Sequence, residues 1–212
     1  SGNAKHFTPG GSVNIYDQVL DSPRNNFCTF NPLGMTYGNG NIGTFSNGAL
    51  SYASTGNSSH CFSTIAINDS NGYYFEAICT SIDVNRTYIG LIDPSAGSGN
   101  PNGASYSYVN RAILSCTGDY FYTGGGSVAF TSYTANDVIQ VAYKNGKIWF
   151  GKNGTWMNSG NPAADTGAVD SAVSTNVSWI TYVGYNSSFT ANFGQGGQSG
   201  LNYDSTSGGR FK

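Results

Sequence analysis

Between Asp137 and Lys152 the chain has little choice of conformation. Two β-prone runs, Asp137–Tyr143 and Ile148–Lys152, flank Lys144-Asn145-Gly146-Lys147. Asn-Gly between such runs is the strongest short-range hairpin signal, because a two-residue type I′ loop needs positive φ at both positions. With Asn145 and Gly146 as the loop, Lys144 faces Lys147, Tyr143 faces Ile148, Ala142 faces Trp149 and Val141 faces Phe150. The two-residue period of a strand then places Ile139, Val141, Tyr143, Ile148 and Phe150 on a face to be buried. Gln140, Ala142, Lys144, Lys147 and Trp149 fall on the other. Trp149 beside two lysines has two readings: a neighbouring loop or terminal arm covers it, or it is a stacking platform for a ligand.

The same pattern recurs along the chain. Short runs rich in β-branched and aromatic residues, bordered by Gly, Asn, Asp or Pro, occur at Gly48–Ser54, His60–Asn68, Tyr73–Ser81, Thr87–Asp93, Ser105–Cys116, Asp119–Tyr122, Val128–Tyr133, Asp137–Lys152, Ser178–Asn186 and Phe189–Gly194. Long helices are disfavoured, since nearly half the chain is Asn, Gly, Ser and Thr and there is a single glutamate, Glu76. Successive strands without helices predict an all-β antiparallel two-sheet sandwich or a barrel, and 212 residues fit one domain. Pro94–Ala104 and Asn153–Asn176 are expected to be long loops without strands, the places where recognition tends to reside.

Charge excludes some functions. Only 9% of residues are charged, the net charge is −2, and the nine Lys and Arg are scattered. A nucleic-acid surface needs them clustered. No apolar run approaches the ~18 residues of a membrane-spanning helix, so membrane insertion is not expected. Ser1-Gly2-Asn3-Ala4-Lys5 lacks the apolar centre of a secretory leader, so either that route is not used or the leader has been removed. Cys28, Cys61, Cys79 and Cys116 form no Cys-x-x-Cys pair. They read first as small buried hydrophobes, with three pairings open if all are oxidised.

Catalytic constellations are sparse. A sandwich glycosidase needs two carboxylates about 5–9 Å apart, and one glutamate with no Asp pair at strand spacing does not supply them. Glu76 is expected to be structural, on a polar face with Tyr74. The histidines are His6 in a tail and His60 at a strand start, and no Gly-x-Ser-x-Gly elbow occurs. Gly124-Gly125-Gly126 lacks the Lys-Ser/Thr and helix of a phosphate loop. Asp93, Asp165 and Asp170 match no Ca²⁺-loop spacing. No enzymatic activity, metal or cofactor is expected. Tyrosines set among Ser, Gly and Asn instead suggest an adaptable contact surface: Tyr106 and Tyr108, Tyr120 and Tyr122, and Tyr185 beside Asn186. With Trp149 and Trp156 these are the candidate ligand-binding residues, although many aromatics in a sandwich serve the core.

Several segments carry a family resemblance. Asn71-Gly72-Tyr73-Tyr74-Phe75-Glu76 resembles the opening strand of SPRY domains, with Tyr73 where a Trp is usual. Thr87-Tyr88-Ile89-Gly90-Leu91-Ile92-Asp93 is similar to the family's hydrophobic-Gly-hydrophobic strand. The run from Asp137 through Asn145-Gly146-Lys147-Ile148-Trp149-Phe150 to Lys152-Asn153-Gly154-Thr155-Trp156 is the most specific match. Ala191-Asn192-Phe193-Gly194 resembles the closing strand. The match covers about residues 60–195 of one domain spanning 1–212, leaving 1–35 as an N-terminal arm with a first strand and 196–212 as a polar tail.

The Met157–Asn176 segment, with its Asn161-Pro162-Ala163-Ala164 run, looks most like SPRY-type domains of bacteriophage structural and tail proteins, and the upstream Asp21–Leu33 resembles a recurring segment of phage structural proteins that precedes such a domain. The resemblance implies a concanavalin-A-like, jelly-roll sandwich that acts as a non-catalytic recognition module on a virion, in a tail, fibre or surface decoration. The expected partner is a bacterial surface glycan or protein, bound through loops at one end of the sandwich. The alternative is a structural role, with neighbouring virion subunits, other copies of this chain among them, as partners.

Overall fold

A computed structural model describes residues 28–33, 43–54, 59–67, 72–84, 86–93, 111–122, 126–173, 178–184 and 186–194, with backbone only at 59–60 and 178–184. Among these residues every strand pair is antiparallel. The strands are β1 (Thr44–Ser46), β2 (Ser51–Ala53), β3 (Ser59–Ile67), β4 (Tyr73–Ser81), β5 (Tyr88–Ile92), β6 (Arg111–Ser115), β7 (Asp119–Tyr122), β8 (Ser127–Ala129), β9 (Val138–Lys144), β10 (Lys147–Lys152), β11 (Thr155–Trp156), β12 (Ser178–Gly184) and β13 (Ser188–Asn192). They form a seven-stranded sheet in the order β1-β2-β13-β4-β9-β10-β11 and a six-stranded sheet in the order β3-β12-β5-β6-β7-β8. This is the expected two-layer sandwich.

The hairpin has the predicted register, Lys144 opposite Lys147 through Val141 opposite Phe150. Its predicted core face is buried at Ile139, Val141, Tyr143, Ile148 and Phe150. Phe75, Ala77 and Cys79 of β4 and Phe189 and Ala191 of β13 join it, opposite Ile89, Leu91, Ala112, Leu114 and Tyr120 of the other sheet. Each large side chain so placed contributes about 1.5–3 kcal/mol. Phe30 closes one end edge-on to Phe193, with ring centroids 5.4 Å apart, while its backbone bridges to Ser63 of β3.

β5 and β6 are buried along their whole length, on both faces. Where they pair, Gly90 lies opposite Ile113. A Cβ at Gly90 would collide with the Ala112 carbonyl oxygen and the Ile113 Cα. That close approach accounts physically for a glycine inside an otherwise apolar strand.

Three expectations need correction. Gly48–Ser54 is not one strand, because Asn47, Gly48 and Ala49 all take positive φ and form a turn between β1 and β2. Val128–Tyr133 leaves the sheet after Ala129, as the Phe130 and Tyr133 N–H groups donate instead to the carbonyls of Gly118 and Cys116. Asn153–Asn176 holds a short strand, β11, reached through a second Asn-Gly turn with φ of 50° and 85° at Asn153 and Gly154. Pro94–Ala104 lies outside the described residues. The four cysteines are buried and joined by no disulfide.

Candidate functional site

The segment after β11 decides the position of Trp149. A 3₁₀ turn at Met157–Ser159 and a bridge between Asn161 and Thr166 fold the chain over the outer face of β10. The segment then returns to the free edge of β10, where the Val169 N–H donates to the Ile148 carbonyl and the Ile148 N–H to the Asp170 carbonyl. Trp149 is trapped beneath, 0% exposed, with Nε1 donating to the Thr166 carbonyl at 2.7 Å. Lys147 reaches Asp165 at 3.1 Å on the same strap. The platform reading of Trp149 is therefore corrected: a ring with both faces packed cannot stack on a ligand.

Tyr120 is corrected for the same reason. It sits in the core, and its hydroxyl donates to Asp170 Oδ2 at 2.8 Å. Burial pushes its own ionisation well above the usual range, helped by the Asp170 charge. Tyr122 stacks on it, centroids 6.3 Å apart at 24°, and is half-buried on the inner face. Trp156 is half-buried edge-on to Tyr74 at 6.2 Å. Asn186 is exposed in the β12–β13 connection at a φ of 47°. Tyr106, Tyr108 and Tyr185 lie outside the described residues. The candidates that are described do not converge on one site.

Glu76 lies on the outer face of β4, opposite Asn192 on one side and Gln140 on the other. Tyr74 Oη donates to one carboxylate oxygen and Asn192 Nδ2 to the other, each at 3.1 Å. Burial pushes the Glu76 carboxyl up, against the pull of these two bonds. Both oxygens are thus engaged within the sheet, the structural role expected of this residue.

A different group of residues comes together at one end of the sandwich. The described residues of the β4–β5 connection (82–84 and 86–87), the β6–β7 turn (116–118), the β8–β9 connection (130–137), the Asn153-Gly154 turn and the β12–β13 connection (186–187) all emerge there. Asp137 is its anchor. Oδ2 accepts from the Thr134 N–H at 2.8 Å and from Thr134 Oγ1 and Lys152 Nζ at 3.1 Å each. Oδ1 accepts from Asn153 Nδ2 at 2.6 Å. Desolvation would raise this carboxyl, but the four donors outweigh it and hold it at about 2. Asn153 passes the restraint on, its Oδ1 accepting the Val138 N–H at 2.8 Å.

On the facing side the hydroxyls of Thr80 and Ser81 bond to Ser188 at 2.5 and 2.9 Å. The Ser187 N–H donates to Ser54 Oγ at 3.0 Å. Thr87 Oγ1 donates to the Asp83 carbonyl and accepts the Asp83 N–H, closing the β4–β5 connection. At its tip Val84 is 68% exposed. This end of the sandwich thus carries hydroxyls and amides tied to one another by hydrogen bonds, together with one exposed apolar residue, Val84, and the exposed Asn186. Sequence reasoning reached Asn186 but missed Val84 and the Asp137 anchor. The Asn153-Gly154 dipeptide was the available signal for the anchor, since it marks a second hairpin turn.

Among the described residues no group of three or more His, Cys, Asp or Glu is placed to hold a metal ion, and no helix is long and apolar enough to cross a membrane. No family model matches the chain, and no curated protein sequence matches it. Solved structures do. The SPRY domain of human HERC1 superposes with a TM-score of 0.55 at 14% identity, covering 79% of this chain and 99% of that domain. The fold is that of a SPRY domain. A stonustoxin structure matches with a TM-score of 0.51 at 13% identity, over 79% of this chain and 27% of the toxin. At such identities the likeness extends to the SPRY sandwich, while the loop-end residues are this chain's own.

Proposed function

We propose that this SPRY-fold domain is a non-catalytic recognition module of a bacteriophage virion protein, in a tail, fibre or surface decoration. Its loop end binds a bacterial surface glycan or protein. The observation that carries this reading is the exposed Val84 at the same end of the sandwich as the hydrogen-bonded hydroxyls of Thr80, Ser81 and Ser188 and the Asp137–Asn153 bonds. A hydrogen-bonded loop end loses little conformational freedom on binding, and an apolar contact at the same end as hydroxyls and amides suits the mixed surface of a sugar or a polar peptide. The virion assignment rests on the sequence resemblance of Asp21–Leu33 and Asn161–Ala164. Multivalent display of the chain on a glycan array and on whole bacterial cells tests the reading. Binding that is lost with Val84→Asp supports it, and absence of binding to every host surface at high valency overturns it.

A structural role within a virion is favoured by a separate observation. The edge strand β8 is exposed at all three residues, including Val128 at 48%. A map of an assembled particle separates the two readings, since the assembly role predicts β8 buried between subunits and the loop end buried with it.

A further inference from the structure

Three Asn-Gly pairs lie wholly within the described residues, at 47–48, 145–146 and 153–154. The two in the β9–β10–β11 meander share one backbone shape. Asn145 and Asn153 both have a φ of 50°, followed by glycines at 75° and 85°. Their surroundings differ sharply. Asn153 is held at both side-chain atoms, Oδ1 by the Val138 N–H at 2.8 Å and Nδ2 by Asp137 at 2.6 Å. The Gly154 N–H is itself engaged, donating to Gln140 Oε1 at 3.0 Å. Asn145 is exposed, and neither its side chain nor the Gly146 N–H makes a hydrogen bond among the described residues. Asn47 is engaged by contacts of its own.

We propose that Asn145 is a site of spontaneous deamidation and that Asn153 is protected from it by the bonds that brace the loop end. The Gly146 backbone nitrogen attacks Cγ of Asn145, a bond that a following side chain would hinder and glycine leaves open. The N–Cγ bond forms as the Cγ–Nδ2 bond breaks, and ammonia leaves with the amide proton. Water then opens the resulting cyclic imide at one of its two carbonyls, giving aspartate or isoaspartate. Asparagine and water become acid and ammonia, with no oxidant, reductant or enzyme needed. At Asn153 the attacking nitrogen and the leaving amide are both tied, so the same step requires those bonds to break first.

The two products have different consequences. Aspartate keeps the hairpin, because Asp-Gly also suits a type I′ loop, and its carboxylate sits between Lys144 and Lys147, which face each other. Isoaspartate inserts a backbone methylene into a two-residue loop and disturbs the closure of the hairpin at its tip.

Incubation of the full chain at mildly alkaline pH, followed by proteolysis and mass spectrometry with fragmentation that separates the two acids, tests the proposal. Conversion at Asn145 is expected to outpace conversion at Asn153 by at least about tenfold in the folded chain. In denaturant the two rates are expected to converge. Gln140→Ala, which releases the Gly154 N–H, is expected to speed conversion at Asn153 and leave Asn145 unchanged. Equal rates in the folded chain, or conversion at Asn145 only after denaturation, overturn the proposal. An unchanged Asn153 rate in Gln140→Ala overturns the protective role of that bond.

Discussion

The indole Nε1 of Trp149 donates to the backbone carbonyl of Thr166 at 2.7 Å, tying the seven-stranded sheet to the strap that covers it. The strap is tied to the other sheet as well, through Tyr120 and Asp170. Trp149→Ala is expected to cost about 3–5 kcal/mol by leaving a cavity under the strap. Trp149→Phe keeps most of the packing, loses the bond, and is expected to cost about 1–3 kcal/mol. Urea unfolding of the two variants measures both. No loss in Trp149→Phe would show that the bond contributes nothing, and equal losses would show that the ring packing contributes nothing beyond the bond.

Asp137 makes stability depend on acid. Its folded pKa of about 2 lies below the ordinary 3.8. The stabilisation is therefore complete above about pH 4 and lost as pH falls towards 2. Asp137→Asn is expected to lower the Tm at pH 7, while at pH 2 the wild type and the variant converge. A Tm difference that persists unchanged at pH 2 would rule out the carboxylate as its source.

Gly90→Ala is expected to destabilise by about 1–3 kcal/mol, since the new methyl meets the backbone of β6 rather than a side chain that can swing away. The midpoint of urea unfolding reads this directly.

Binding and stability are expected to separate at the loop end. Val84 is exposed and packs no core, so Val84→Asp is expected to leave the Tm within about a degree or two. The same change is expected to weaken cell-surface binding by at least about tenfold. Cell binding by flow cytometry and a thermal melt on the same sample provide the two readouts.

All four thiols are expected to resist alkylation in the folded chain and to react fully once it is unfolded. Each cysteine is buried. Burial, with the charges of Cys116 and Asp137, pushes Cys79 up to about 12, so little reactive thiolate exists at neutral pH. Thiol counting with and without denaturant checks this.

What the sequence determined by itself is the part governed by neighbours along the chain. Positive φ at Asn145-Gly146 and the two-residue strand period set the register of β9 and β10 and their core face without reference to anything distant. Composition removed helices, and the order of the resembling segments pointed to the SPRY sandwich. Tertiary structure decided what covers what. Trp149 stands among polar neighbours on its strand, and only a chain segment arriving from 157–170 made it interior. Tyr120 reads as a possible contact residue until Asp170, 50 positions away, closes on its hydroxyl. The loop end is likewise assembled from five connections far apart in sequence. Hydrogen-bond and burial partners that meet only after the sheets pack leave no local pattern, so a site built from them is visible only in the folded molecule.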